Sequence, residues 1–193
     1  MDRQTNLVWI DLEMTGLNLP EDVILEIAVV ITDKDLNIIA QGPSLVIKQP
    51  DAILDSMNEW CKKQHGLSGL TQEVRAATIS LMQAEEQLCD FIKDYCIKGK
   101  AILCGNSIWQ DKAFIQYYMP KLNSFFHYKI VDVSSIKELV IRWYPKSPYA
   151  DIKKVDKHRA LPDILESIKV LINYRTHFFI SENVVAFQEA NQQ

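Results

Sequence analysis

Long runs of apolar residues alternate with short polar links in the first quarter of the chain. Residues 7–13 (LVWIDLE) begin as a continuous apolar run, and residues 23–32 are interrupted only by Glu26. A third run covers residues 37–48, with Gly42-Pro43 as a bulge or turn within it. Continuous apolar runs are typical of strands that are buried on both faces, and short links favour antiparallel pairing. The pattern predicts a three-stranded antiparallel meander.

From residue 51 onward, apolar residues recur every three or four positions, which is the period of a helix. Helices are predicted at 51–61, 80–95, 108–118, 134–143 and about 162–174, and short strands at 101–104 and 129–133. Residues 144–158 contain two prolines and no apolar run, which predicts a long loop. The tail from residue 182 begins as a helix and then frays. This order predicts the α/β class, with a mixed β-sheet flanked by α-helices.

Composition narrows the classes of protein that the chain can represent. With 193 residues and 48% hydrophobic content, the chain is long enough for one domain over residues 1–193. The longest stretch without a charge, residues 37–47, is shorter than the ~20 residues of a membrane span. The net charge is −4, whereas binding to long duplex nucleic acid favours a basic excess. The four cysteines have no metal-ligand spacing, which indicates free thiols in a reducing cytoplasm.

Two acids interrupt the first apolar run at positions that share one face of the strand. Asp11 and Glu13 are two residues apart, so their side chains lie ~6.6 Å apart along the strand. Like charges at the end of a buried strand repel each other unless a cation lies between them, which favours a divalent metal ion. Chance is the alternative, because a chain with 25 acids contains several such pairs.

Three further residues could join this pair. Asp111 follows a predicted strand and Gly105, and so lies at the carboxyl edge of a sheet, where α/β sites usually form. If the last helix begins at Pro162, Asp163 lies in its first turn and His158 in the preceding loop, so that both can approach one point. Each of these residues also has a structural explanation, because acids in the first turn are favoured by the helix dipole and loop histidines are often exposed.

Taken together, these residues form a set with a known chemistry. Four carboxylates carry −4 and two Mg²⁺ ions carry +4, so that the site is neutral before substrate binds. Two metal ions ~4 Å apart can stabilise both the attacking and the leaving oxygen of a phosphoryl displacement. A histidine with an ordinary pKa near ~6.5 can accept the proton of the attacking water.

Several longer motifs resemble the oligoribonuclease family, whose members are DEDD-type exonucleases with an active-site histidine. They are DLEMTGL at residues 11–17, CGNSIWQD at 104–111, His-Tyr at 127–128, Asp-Val-Ser at 132–134, and His158 followed by Asp163. The first motif alone indicates only the DEDD superfamily, whereas the second and third are much more specific. The resemblance covers residues 7–178 in order and without large gaps.

The resemblance implies a ribonuclease H-like fold and 3′-to-5′ release of 5′-mononucleotides from very short single-stranded RNA. It also implies that Asp11, Glu13, Asp111 and Asp163 bind two Mg²⁺ or Mn²⁺ ions and that His158 is the general base. Leu17 is expected to wedge against the bases, with Trp60 and His65 lining the site. The expected cap on the substrate's 5′ phosphate consists of Ser107, Lys129, Ser134 and Lys137. The implied assembly is a homodimer in which Tyr128 reaches the partner's site.

Three positions depart from the pattern expected for the family. Lys129 and Lys137 replace an arginine and a threonine, and a lysine presents a point charge rather than a bidentate fork. Pro162 replaces an acid before the last aspartate. Two other functions remain open at this stage. One is a proofreading or repair exonuclease acting on DNA, and the other is a non-catalytic RNA-binding module.

Overall fold

The three apolar runs at the start of the chain form an antiparallel meander, and two more strands extend it into a mixed sheet. A computed structural model describes residues 3–152 and 158–180 of the protein. The strands are β1 (Leu7–Met14), β2 (Ile24–Thr32), β3 (Ile38–Val46), β4 (Ala101–Gly105) and β5 (Phe126–Asp132). Their order is β3-β2-β1-β4-β5; β1 pairs antiparallel with β2 and parallel with β4. The predicted mixed sheet and its meander are confirmed.

Helices cover both faces of this sheet. They are α1 (Asp51–Ser56), α2 (Glu59–Leu67), α3 (Leu70–Ala76), α4 (Leu81–Tyr95), α5 (Ile108–Tyr118), α6 (Pro120–Asn123), α7 (Val133–Trp143) and α8 (Ala160–Phe178). Alternate residues of β1 point to opposite faces. Val8 and Ile10 enter a core that contains residues of α4 and α5, whereas Trp9 enters a second core beneath α8. Among the described residues, no helix is both long and apolar enough to cross a membrane. That residues 1–193 form one domain stays a prediction.

The predicted helix over residues 51–61 is wrong, because two helices occupy this region and a third follows. The first helix ends at Ser56, and Asn58 caps the start of α2, since its side chain accepts a hydrogen bond from the Cys61 N–H at 2.9 Å. Asparagine is among the best residues for this position. The sequence analysis missed α3, a seven-residue helix that begins after Gly69, whose φ is 81°. A helix this short depends on its packing against α2 rather than on its own propensity.

Several element boundaries also differ from the prediction. β5 begins at Phe126, three residues earlier than expected, and α8 begins at Ala160 rather than at Pro162. Pro162 is the third residue of α8. The first four N–H groups of a helix have no partner within it, so a proline at this position costs the helix no hydrogen bond. Residues 144–152 contain no helix or strand, as predicted. Part of the predicted loop (153–157) and the tail from residue 182 lie outside the described residues.

The predicted bulge in the third strand is confirmed at Gly42-Pro43. The pairing of β2 with β3 changes register between Ala28 and Val30, where the third strand has one extra residue. At Gly42, an added Cβ would lie 2.5 Å from Phe91 Cε1 of α4 and 2.6 Å from Val29 Cγ1. The glycine therefore allows α4 to pack closely against the sheet.

We expect Gly42→Ala to lower the free energy of unfolding by about 1–3 kcal/mol, the usual cost of an overpacked core. Val29 is buried and β-branched, so it cannot move aside without strain. Urea denaturation measures the difference. Gly66→Ala in α2 is the matched control, because an added Cβ there meets nothing within 4 Å. It should leave stability unchanged or raise it by up to about 1 kcal/mol. Equal stability of Gly42→Ala and wild type would contradict the close packing.

Candidate active site

β1 presents two carboxylates on the face that α8 covers. Asp11 and Glu13 continue the alternation that puts Trp9 beneath α8, and both are half-buried at the end of the strand. Their placement on one face agrees with the expectation from their spacing. The pairing of β1 with β4 ends at Trp9, and β2 continues to pair with the backbone that carries the two acids.

Helix α8 brings a third carboxylate to the same place. Asp163 lies in the first turn of α8, and its N–H donates a hydrogen bond to the Arg159 carbonyl at 3.2 Å. One carboxylate oxygen from each of Asp11, Glu13 and Asp163 lies within 4.8 Å of the other two. Carboxylate oxygens are hard ligands that suit hard divalent cations. The donor set therefore fits such an ion.

Asp111 approaches the same strand end from the opposite layer. It lies in the first turn of α5, and its Oδ1 accepts a hydrogen bond from the Leu12 N–H at 3.0 Å. Burial raises the pKa of Asp111 to about 7, although its backbone hydrogen bonds act in the other direction. Asp111 is not one of the three residues whose oxygens lie within 4.8 Å of one another. Its hydrogen bond with the Leu12 N–H holds it against the backbone that joins Asp11 to Glu13.

Burial and the crowding of like charges together raise the pKa values in this cluster. Burial is the largest of the causes that raise the pKa of Glu13 to about 8, followed by the charges of Asp163, Glu26 and Asp111. Arg159 acts in the opposite direction. A bound divalent cation favours the charged form of each carboxylate. A cation bound beside Glu13 and Asp111 is therefore expected to stabilise the folded protein.

His158 lies just before α8, outside the helix, as the sequence predicts. Its φ is 48°, in the left-handed region that few non-glycine residues adopt. Its ring meets the Trp60 ring of α2 edge to face, with centroids 5.5 Å apart and an interplanar angle of 87°. The imidazole is thus held on the side of the cluster where α2 and the start of α8 meet.

His65 lies within the protein beside Glu13. Its ring is 2% exposed, Nε2 is 2.9 Å from the Met14 carbonyl, and Nδ1 is 3.8 Å from Glu13 Oε2. A carbonyl only accepts hydrogen bonds, so Nε2 carries the proton and donates it. Burial lowers the pKa of His65, which favours the neutral ring. His65 therefore contacts the cluster from its buried side, whereas Trp60 is exposed.

The loop after β1 carries Leu17, whose side chain is 61% exposed. Gln110 of α5 donates a hydrogen bond from Nε2 to the Leu17 carbonyl at 3.1 Å. Asp22 stabilises the loop from the other side, since its carboxylate accepts hydrogen bonds from the Thr15 hydroxyl and the Asn18 N–H, both at 2.8 Å. The sequence analysis did not single out Gln110 or Asp22 in these roles, because neither contact follows a local pattern.

A second polar cluster forms where the N-termini of α5 and α7 meet. Ser107 Oγ is 2.9 Å from Ser134 Oγ, and the Ser134 hydroxyl donates to Asn106 Oδ1 at the same distance. Asp132 Oδ1 accepts hydrogen bonds from the N–H groups of Ser107 and Ser134. Ser107 precedes Asp111 by one helical turn, so this cluster adjoins the carboxylates. The structure thus brings together two of the predicted phosphate-binding residues.

The other predicted residues lie farther out, on and beyond β5, which is an edge strand. Tyr128 is 77% exposed, and Lys129 Nζ is 5.9 Å from the centre of its ring. Lys112 holds this part of the strand, since its ammonium donates to the Tyr128 carbonyl at 2.7 Å. Lys137 of α7 forms an ion pair with Asp151 at 3.3 Å.

The sequence analysis missed two charged residues behind the cluster. Glu26 of β2 pairs directly with Glu13 across the two strands and is 2% exposed. Arg159 binds its carboxylate with Nε at 3.0 Å and Nη2 at 3.1 Å. The signal for Glu26 was visible, because it is the residue that interrupts the second apolar run. Its partner is 133 positions away, and no local pattern predicts that pairing.

Comparison with known proteins agrees with this geometry. The exonuclease family model RNase_T matches residues 8–171. The human mitochondrial oligoribonuclease is 52% identical over 173 residues, which are 90% of this chain and 73% of that protein. The oligoribonuclease of Marinobacter nauticus is 50% identical over 179 residues, which are 93% of this chain and 99% of that protein. This chain belongs to the oligoribonuclease family. The resemblance that the motifs indicate is confirmed.

Solved structures of exonuclease I share the fold of this oligoribonuclease family member. One has a TM-score of 0.65 at 16% identity and covers 90% of this chain, which spans 41% of that protein. The exonuclease I of Methylocaldum szegediense has a TM-score of 0.66 at 15% identity, with 90% of this chain and 41% of that one covered. The likeness confirms the predicted ribonuclease H-like fold. The family and its carboxylate cluster identify a divalent-metal-dependent exonuclease.

The pKa shifts predict how the stability of the metal-free oligoribonuclease family member depends on pH. Glu13 and Asp111 have folded-state pKa values of about 8 and about 7, above their ordinary values of 4.5 and 3.8. Between these values the folded protein binds more protons than the unfolded chain, so its free energy of unfolding falls as the pH rises. We expect the melting temperature in EDTA to fall between about pH 5 and about pH 8.

Thermal denaturation with and without a divalent ion checks this expectation. A saturating divalent ion should stabilise the protein more at about pH 8 than at about pH 5, since metal binding requires deprotonated ligands. Glu13→Gln provides the control, because it removes the carboxyl with the largest shift and should flatten the curve in EDTA. A melting temperature in EDTA that rises over this range in the wild type would contradict the crowding of carboxylates.

Proposed function

We propose that this protein hydrolyses very short oligoribonucleotides, dinucleotides above all, from the 3′ end and releases 5′-mononucleotides. The observation that carries this proposal is the convergence of Asp11, Glu13 and Asp163, with Asp111 beside them, in a chain about 50% identical to oligoribonucleases. The family defines an exonuclease, and the carboxylates supply the site for its metal.

We assign two Mg²⁺ or Mn²⁺ ions to this site, held by Asp11, Glu13, Asp111 and Asp163. Four carboxylates balance the charge of two divalent ions, and oxygen donors suit both metals. When bound, such ions polarise the phosphate and stabilise the charge on the attacking and leaving oxygens. The protein's part is to hold the carboxylates at fixed positions on β1, α5 and α8. The Leu12 N–H restrains Asp111 through a hydrogen bond to its Oδ1.

His158 is the group that we assign as the general base. It lies two positions before α8, whose first turn carries the proposed metal ligand Asp163. A histidine there can accept the proton of a water that attacks the phosphorus and pass it to solvent. Its edge-to-face contact with Trp60 restricts the rotation of the ring. The role of a base thus fits a side chain held at the rim of the carboxylate cluster.

The bases of the substrate are expected to contact exposed apolar side chains. Leu17 and Trp60 are largely exposed although both are strongly apolar, and such exposure is typical of a binding surface. Stacking on an aromatic ring tolerates any base, since every base has a π-face. Leu17 therefore fits the predicted wedge, and Trp60 fits a lining on the α2 side, whereas the buried His65 supports the site from behind, beside Glu13.

The limit on substrate length is expected to come from the cluster at the N-termini of α5 and α7. Ser107 and Ser134 offer hydroxyl groups at two helix N-termini, where anions are favoured. Lys129 and Lys137 add positive charge for a terminal phosphate. Lys137 is paired with Asp151 in the free protein, so binding requires it to share or leave that partner. A 5′ phosphate held here leaves room for few nucleotides.

Tyr128 supports the proposal of a homodimer. Its ring is exposed on an edge strand, and Lys112 binds its backbone carbonyl rather than its ring. In a two-fold dimer the same surface of each subunit meets the other, so an exposed ring can reach the partner's site. We therefore propose that Tyr128 completes the active site of the second subunit.

A cytoplasmic location fits the thiols. Cys61, Cys96 and Cys104 are buried, Cys89 is half-buried, and all four are unpaired. Burial raises the pKa of Cys89 and of Cys96 to about 11, which keeps both as unreactive thiols. We place the protein in a reducing compartment for this reason.

Release of mononucleotides from a 5′-phosphorylated diribonucleotide, compared with a long RNA and a DNA dinucleotide, tests the proposed function. We expect the RNA dinucleotide to be hydrolysed fastest, and EDTA to abolish the reaction. Asp11→Asn keeps the size of the side chain but removes its charge, and it should abolish turnover as well. A preference for the DNA dinucleotide would indicate a DNA-directed exonuclease instead. Tight binding of RNA without turnover would indicate a binding module.

Mixing two impaired variants tests whether Tyr128 acts across the dimer. Tyr128→Ala and Asp11→Asn are each expected to be weakly active or inactive as homodimers. If Tyr128 completes the partner's site, subunit exchange should rebuild one whole site in each mixed dimer, about a quarter of all sites in an equal mixture. Rates measured before and after exchange provide the comparison. No recovery, although size measurements show exchange, would mean that Tyr128 acts within its own subunit.

A further inference from the structure

Arg159 connects three elements directly beside the proposed base. It is the residue before α8 and follows His158 in the chain. Its guanidinium binds two carboxylates at the same time, from β2 and from α3. We propose that Arg159 is a positioning residue that fixes His158 for proton transfer by binding Glu26 and Glu73 together. This inference rests on the proposed function and deepens it.

The guanidinium binds each of the two carboxylates through a pair of hydrogen bonds. Nε and Nη2 donate to Glu26 at 3.0 and 3.1 Å, while Nη1 and Nη2 donate to Glu73 at 2.8 and 2.7 Å. Paired hydrogen bonds between arginine and carboxylate fix orientation as well as distance. The two carboxylates therefore hold the guanidinium in one plane and one place, and the backbone of Arg159 with it.

Glu26 links this arrangement to the strand that carries the metal ligands. It lies directly opposite Glu13 in the pairing of β1 with β2, and Ser44 of β3 also contacts it at 3.4 Å. Its Oε2 accepts a second hydrogen bond, from the Ala160 N–H at 3.2 Å. Two consecutive residues after His158 are thus bound to one buried side chain of the sheet. The start of α8 cannot shift along the sheet without breaking these bonds.

Glu73 links the same guanidinium to the helices on the other side of His158. It belongs to α3, which packs against α2. Trp60 of α2 contacts the His158 ring. Two helices that pack together therefore hold His158 and the residue after it. α2 contacts the His158 ring through Trp60, and α3 binds Arg159 through Glu73.

The backbone of His158 explains why such restraint is needed. Its φ of 48° is unfavourable for a residue with a Cβ, and such conformations persist only where surrounding contacts determine them. The contacts on Arg159 and Ala160 are the described interactions immediately after it. If they are weakened, His158 is free to return to an ordinary conformation, and the imidazole leaves its place.

Steady-state kinetics on the diribonucleotide with Arg159→Lys, Glu73→Gln and the control Arg175→Gln test the inference. Lysine keeps the positive charge beside Glu26 but cannot bind two carboxylates in pairs. We expect Arg159→Lys to lower kcat by about 10–100-fold with little change in KM, because a shift of ~1 Å in a reacting group has an effect of that size. Glu73→Gln should lower kcat less, since Glu26 still holds the arginine.

Arg175→Gln is a matched control, because Arg175 binds Asp35 at the far end of the same helix. It should leave kcat and KM unchanged. Circular dichroism of each variant under assay conditions measures the folded fraction. A loss of kcat in Arg159→Lys no larger than in Arg175→Gln, or equal to the loss of folded protein, would overturn the inference.

Histidine NMR gives a second measurement that does not depend on activity. The chain has four histidines, so isotope-labelled histidine gives few signals, and His158→Ala assigns the one of interest. We expect Arg159→Lys to shift or broaden the His158 signals and to leave those of His127 and His177 in place. Unchanged His158 signals would overturn the inference. If the wild type does not cleave short RNA but these signals still move, the proposed function fails and the positioning role stands.

Discussion

The structure depends on one electrostatic constraint, the meeting of several carboxylates at the end of a strand that is fixed on both sides. At Asp11 and Glu13, β1 pairs with β2 on one side and binds Asp111 through the Leu12 N–H, so the two acids cannot separate to relieve their repulsion. Asp111 and Asp163 arrive from helices on opposite faces of the sheet. Burial is the largest cause that raises the pKa of Glu13 to about 8, and the charges of Asp163, Glu26 and Asp111 add their repulsion. A cation relieves it, so the same rigidity that destabilises the free site prepares it for metal.

One negative charge near this site, that of Glu26, has a positively charged partner in the protein. Glu26 lies opposite Glu13 and adds to the crowding, but Arg159 binds it with two hydrogen bonds and lowers the pKa of Glu13 in turn. The charges thus fall into two groups. Carboxylate oxygens of Asp11, Glu13 and Asp163 meet at the site, whereas the buried carboxylate behind them, that of Glu26, is bound by Arg159.

Local patterns predicted the parts of the fold that local forces determine. The meander followed from three apolar runs, and the position of Asp163 in a first helical turn followed from its distance to Pro162. The break at Asn58 and the short helix that carries Glu73 were missed, because helices of six to nine residues depend on tertiary packing. Glu26 was visible as an interruption, yet its partner lies 133 positions away. Only the three-dimensional structure brings such residues together.

The net charge of −4 also acquires a physical meaning from the structure. A protein that binds long RNA needs many lysine and arginine side chains in contact with the RNA phosphates, and much of its affinity comes from the counterions that these contacts release. A dinucleotide offers too few phosphates for that mechanism. In the function that we propose, its binding comes from the metal ions, from contacts of its bases with Leu17 and Trp60, and from a few donors such as Ser107. An acidic chain with a restricted site is therefore consistent with a substrate that ends within the site.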